Sequence, residues 1–147
     1  MATKLALALS FTASAALVTA SAIAGSAQGG VKLHTTLTGG AEVPGPGDAD
    51  ATGSATVTVN PGQNQICYKV SVAHIDPATL AHIHVGAAGV AGPVAVALTA
   101  PAGGSSSGCA TVAPSLALDI LKDPANYYVN VHNAAFPAGA ARGQLIK

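Results

Sequence analysis

From Val31 onward the chain alternates apolar and polar residues two by two, and turn residues break the alternation at short intervals. That period places successive side chains on opposite faces of an extended strand, so short antiparallel strands are expected. Val31, Leu33 and Leu37 share one face; Ala55, Val57 and Val59 alternate with Thr56, Thr58 and Asn60; Ile66, Tyr68, Val70 and Val72 alternate with Cys67, Lys69 and Ser71. The turn Pro61-Gly62-Gln63-Asn64 between the last two runs predicts a hairpin. Further strands are expected near Leu80–Val85, Val94–Leu98, Gly108–Val112, Tyr127–His132 and Gly143–Ile146. Only Ser115 to Lys122 reads as helical, with Ser115 as its N-cap and Asp123-Pro124 as its stop. About eight strands, one short helix and no strand–helix–strand repetition predict an all-β fold, an antiparallel β-sandwich or flattened Greek-key barrel. Gly103 to Gly108 is expected to be a surface loop.

Ahead of this region, Lys4 is followed by an apolar stretch through Val18 and then by small residues, the architecture of a secretory signal peptide. Cleavage is expected after Ala27, with Ala24 as the other candidate, which leaves a domain over residues 32–147. The apolar stretch is short and rich in Ala and Ser for a membrane span, so the mature protein is expected to be secreted or periplasmic, with no integral span. Export gives Cys67 and Cys109, the only cysteines, a meaning: in an oxidising compartment a lone pair forms one disulfide. Closing a loop of about 42 residues is worth roughly 3–4 kcal/mol in the chain-entropy model, which matters in a domain with only 3% aromatic residues to fill its core.

Six basic residues against six acidic ones leave no surplus of cations on any face for phosphates, which excludes nucleic acid as a partner. Two apparent motifs lack their mechanism. Gly86, Gly89 and Gly92 are spaced like a nucleotide loop, but a β-like run follows instead of the helix that would hold phosphate. Gly104-Ser105-Ser106-Ser107-Gly108 has the spacing of a nucleophile elbow without its strand-to-helix context. No catalytic residue is therefore assigned. Glu42, Asp48 and Asp50 fall in a Pro/Gly-rich loop and read as solvated acids or Asx-turns.

Histidine carries the chemical signal. In a strand over Ala81–Val85, His82 and His84 project from one face and Ala81, Ile83 and Val85 from the other. Across Tyr127–His132, the residues Tyr127, Val129 and Val131 form an apolar face with His132 opposite. If the two strands meet, His82, His84 and His132 form a three-nitrogen site for copper or zinc with an open position, and His34 is a possible fourth ligand. The competing reading makes them solvated or hydrogen-bonded residues of a non-catalytic interaction or envelope module with a protein partner. Arg142, the only arginine, either clamps the C-terminal turn through backbone carbonyls or steers an anion toward a metal.

The segments Leu37-Thr-Gly-Gly-Ala-Glu42-Val43-Pro44, Ala51-Thr52-Gly53-Ser-Ala55, Ala81-His82-Ile83-His84-Val-Gly86, Gly92-Pro93-Val94, Tyr128-Val129-Asn130-Val131-His132 and Arg142-Gly143-Gln144-Leu145 occur in the order of the chordin-type (CHRD) domain family. The chain resembles that family over nearly all of residues 32–147. The resemblance implies an extracytoplasmic all-β domain, places the family's paired histidines on His82 and His84 and its strand histidine on His132, and gives Arg142, Gln144 and Asn130 a supporting role around them. Where the family commonly carries a glutamate two residues before the arginine, Ala140 stands here. A fainter similarity to Cu,Zn superoxide dismutase rests on the paired strand histidines and late arginine. It raises copper as the metal and a small copper enzyme as a third functional class.

Overall fold

In the computed structural model, residues 29–147 are described; the expected signal segment, residues 1–27, lies outside them. Eight strands run as β1 (Val31–Thr38), β2 (Thr52–Asn60), β3 (Gln65–Ala73), β4 (Ala78–Val85), β5 (Val94–Leu98), β6 (Ser105–Thr111), β7 (Tyr127–Asn133) and β8 (Ala141–Gln144), with one α-helix, α1 (Pro114–Lys122), between β6 and β7. All pair antiparallel in one sheet of order β5-β4-β7-β8-β1-β2-β3-β6. The sheet curls until its two ends nearly meet. Thr99, just past β5, receives the Tyr68 hydroxyl on Oγ1 (3.0 Å), donates its own N–H to that hydroxyl (2.8 Å), and accepts from Ser106 Oγ at its carbonyl (2.7 Å). Residues of β3 and β6 thus reach the far edge through side chains where no backbone ladder closes the barrel.

The expected hairpin forms in full register from Thr52↔Ala73 to Asn60↔Gln65. Inward positions supply the core, with Leu33, Leu37, Val57, Val59, Ile66, Ile83, Val129, Val131 and Leu145 fully buried. On α1, Ala117 and Ile120 are likewise fully buried and pack into this cluster. Burying such aliphatic side chains stabilises by about 1.5–3 kcal/mol each, which lets a core nearly free of aromatics suffice.

Three local expectations are corrected. The helix begins at Pro114, whose fixed φ suits the first turn, so Ala113 is the N-cap and Ser115 lies inside the helix. Ser105 to Gly108, expected in a loop, belong to β6, because pairing with β3 from Ser71↔Ser105 to Tyr68↔Gly108 overrides the turn-prone composition. The last strand ends at Gln144, and Ile146 instead forms an isolated bridge with His34.

The disulfide forms as expected, joining Cys67 of β3 to Cys109 of β6. The two residues are direct cross-strand partners, so the bridge staples the edge strand β6 to β3. No described helix is long and apolar enough to cross a membrane.

Candidate metal centre

In β4 the inward set Ala81, Ile83 and Val85 leaves His82 and His84 on the outer face, as the alternation requires. The neighbouring strand β7 pairs with β4 through Leu80↔His132, His82↔Asn130 and His84↔Tyr128, so His132 lies diagonally across from His82 on the same face. A register shift beside His84 marks a bulge against β5, where Ile83 pairs with Val96 but His84 with Val94. Bulges re-aim side chains, and this one adjoins the cluster.

The three imidazoles converge. One ring nitrogen from each lies within 4.8 Å of the others, and His82 Nδ1 is 3.3 Å from His132 Nε2. Ligand nitrogens about 2.0–2.1 Å from a shared tetrahedral ion stand about 3.3–3.4 Å apart, so this pair already has the needed separation. His84 and His132 are buried, while His82 is half-buried and forms the side open to solvent.

Two rings are fixed by backbone carbonyls. His84 Nδ1 lies 2.9 Å from Gly92 O, and His132 Nδ1 lies 3.0 Å from Pro137 O. A carbonyl only accepts, so Nδ1 carries the proton in both rings and Nε2 presents a lone pair. His84 Nε2 is buried and has no partner. Burial, first of all, pushes the pKa of His82 below its usual value of 6.5, helped by the adjacent His132 and His84; burial likewise lowers that of His132 against the opposing Pro137 bond. Neutral imidazole is the form that binds metal.

Behind His84 stands a layered stack. The Tyr128 ring lies 4.9 Å from that of His84 at an interplanar angle of 9°, and the Arg142 guanidinium carbon sits 3.4 Å from the centre of the Tyr128 ring. Strands β4 and β8 flank β7, so His84 and Arg142 approach the tyrosine from its two sides. Arg142 Nη2 donates to Ala87 O (2.9 Å) and to Gln144 Oε1 (3.0 Å), while Gln144 Nε2 donates to Gly86 O (2.9 Å) and Ala125 O (2.7 Å). Gly92 N donates to the Tyr128 hydroxyl (3.1 Å). Arg142 therefore clamps the Gly86–Gly92 loop, the one that orients His84, and not the C-terminal turn. That loop leaves no space for a side chain at Gly92, where a Cβ would run into Val85 O.

Asn130 does not hydrogen-bond to a histidine; its Nδ2 donates to Glu42 Oε2 (3.4 Å). His34 is exposed on β1, bonded to Thr56 Oγ1 (3.3 Å), and stands outside the three-histidine group. Asp48 makes the expected Asx-turn with Asp50 N. Glu42 corrects the reading of the loop acids as solvated, being 5% exposed with Oε1 unpartnered. Burial raises its pKa to about 7, although Arg142, the Val43 N–H and Asn130 all favour the charged form. Its carboxylate lies against Gly139, so an acid does reach the corner beside Ala140, but from the 39–51 loop. The residues missed from sequence are thus Glu42, Tyr128 and the carbonyls of Gly92 and Pro137. Glu42, Tyr128 and Gly92 left a trace, as members of the segments that carry the family resemblance, whereas Pro137 left none.

Residues 33–145 match the family model described as the CHRD domain, and the chain belongs to that family. No curated protein and no solved structure matches it.

Proposed function

Starting from membership of the CHRD domain family, we propose that this chain is an exported, extracytoplasmic protein that binds one copper or zinc ion through His82, His84 and His132. The observation that carries the reading is the convergence of three imidazole nitrogens, two of them 3.3 Å apart and two belonging to rings whose tautomer is set by a backbone carbonyl. Orientation of a ligating imidazole through its second nitrogen is the usual support of a protein metal site. Three ligands and a half-open side at His82 leave a position for an exogenous ligand.

Arg142 and Gln144 hold the loop that carries the His84 acceptor, and Asn130 holds Glu42, which interacts electrostatically with Arg142. Export is supported by the signal-like segment before Ala27 and by the Cys67–Cys109 bridge. Metal titration of the purified mature chain tests the reading, with copper EPR counting nitrogens. One equivalent bound by the native chain and lost from His84→Ala or His132→Ala is the expected result. No saturable binding would leave the interaction-module reading.

A further inference from the structure

We propose that the three-histidine site is built for monovalent copper, and that Arg142 sets this preference from behind the Tyr128–His84 stack. The inference rests on reading the cluster as a metal site and goes beyond it in naming the charge state of the ion.

The three candidate ligands are imidazoles, a ligand type that adds no negative charge to a site, and no carboxylate belongs to the group. Imidazole accepts zinc and both states of copper, so ligand softness does not discriminate among them. Charge does. Arg142 is 1% exposed and bonds only neutral partners, Ala87 O and Gln144 Oε1, with Nη1 unpartnered. The 3.4 Å and 4.9 Å contacts laid end to end bound its separation from the His84 ring centre at about 8.3 Å.

A fixed positive charge this close, shielded by protein and not by water, repels a divalent ion twice as strongly as a monovalent one. At an effective dielectric of about 20 and a distance of about 10 Å, one extra unit of charge changes the binding ratio roughly tenfold. Desolvation acts in the same direction, because the cost of burying an ion grows with the square of its charge, about fourfold for a divalent ion. Among the described residues, Glu42 is the acid that interacts electrostatically with Arg142. Asn130 holds it, and its desolvated carboxyl is largely ionised only above about pH 7.

The test compares cuprous, cupric and zinc affinities of the mature, disulfide-intact chain by chelator competition at pH 8, using a reductant that spares disulfides for the cuprous arm. The native protein should bind cuprous ion more tightly than cupric. Arg142→Gln should lower the cuprous-to-zinc affinity ratio roughly tenfold and the copper potential by about 60 mV, the one-electron equivalent of tenfold. Arg142→Lys should retain most of the ratio. Glu42→Gln, which removes the opposing charge, should raise it several-fold.

Loss of all affinities by one common factor in Arg142→Gln would make the arginine merely structural and overturn the proposal. Should that variant not fold, an unchanged ratio in Glu42→Gln overturns it. Tighter cupric than cuprous binding by the native chain overturns the oxidation-state preference alone, whereas no saturable binding of any ion overturns the metal reading itself.

Discussion

The strands β7 and β2 share one sheet and one alternation, yet they treat their outer faces in opposite ways. On β7 all seven residues are buried, so Tyr128, Asn130 and His132 are shielded although they point away from the core. On β2 the corresponding outward residues Ser54, Thr56 and Thr58 are exposed or half-buried. The difference lies in what crosses above them. The loop holding Glu42 is tied down by Asp48 N to Ala140 O (3.0 Å), and the Gly86–Gly92 loop by Arg142 and Gln144. Among the described residues, nothing comparable covers β2 and β3. A covered polar face must hydrogen-bond its groups internally, and desolvation then shifts their protonation, which is why the perturbed His82, His132 and Glu42 all lie on that side. An open face keeps its hydroxyls in water and imposes no such demand.

The contrast can be broken most forcefully at the staple of the open half. Replacing Cys67 and Cys109 together by serine should cost about 3–4 kcal/mol in reversible denaturation, because the bridge closes a long loop in the unfolded chain. Metal binding at the covered half should survive in the fraction that stays folded. A loss below about 1 kcal/mol would show that pairing of β6 with β3 needs no bridge.

Within the covered half, His132→Ala should weaken zinc or copper binding at least about a hundredfold by competition titration. The exposed His34→Ala should leave binding unchanged. Equal effects from both would dissolve the distinction between the faces.

A smaller effect concerns pH. The folded pKa of Glu42, about 7, exceeds its unfolded value of 4.5, so its contribution to stability is fully present below pH 4.5 and is lost as pH rises to 7. His82 and His132 act in the opposite sense: their values are depressed below 6.5, so their contribution is present above that pH and is lost as pH falls through the folded values. Between pH 5 and pH 8, Glu42→Gln should gain about 1–3 kcal/mol relative to the native chain in urea unfolding. Parallel profiles for the two proteins would place the carboxyl in water. Smallest of all, Thr56→Ala on the open face should change stability by no more than about 0.5 kcal/mol.

Strand by strand, the alternation made the fold legible: Ile83, Val129 and Val131 point inward, and His82, His84 and His132 point outward, as the period of two demands. It failed where composition and pairing disagree, as at Ser105 to Gly108, since a serine-rich stretch becomes a strand only because β3 is there to pair with it. Neither the Gly86–Gly92 loop nor the 39–51 loop carries a periodic signal that says what it will lie on.

The all-β class, the side of its own strand on which each histidine stands, and the pair of cysteines available to bridge are all legible in the order of residues. The packing of segments against one another makes β4 and β7 neighbours, sets two tautomers through Gly92 O and Pro137 O, and buries Glu42 of the 39–51 loop together with Arg142. Range separates the two. Side-chain direction within a strand follows from backbone geometry over two residues, whereas the neighbours of a strand depend on contacts between remote segments, such as His82 with His132 at a separation of 50 and Asn130 with Glu42 at 88, and the two tautomers depend on carbonyls of irregular segments, 8 positions from His84 and 5 from His132.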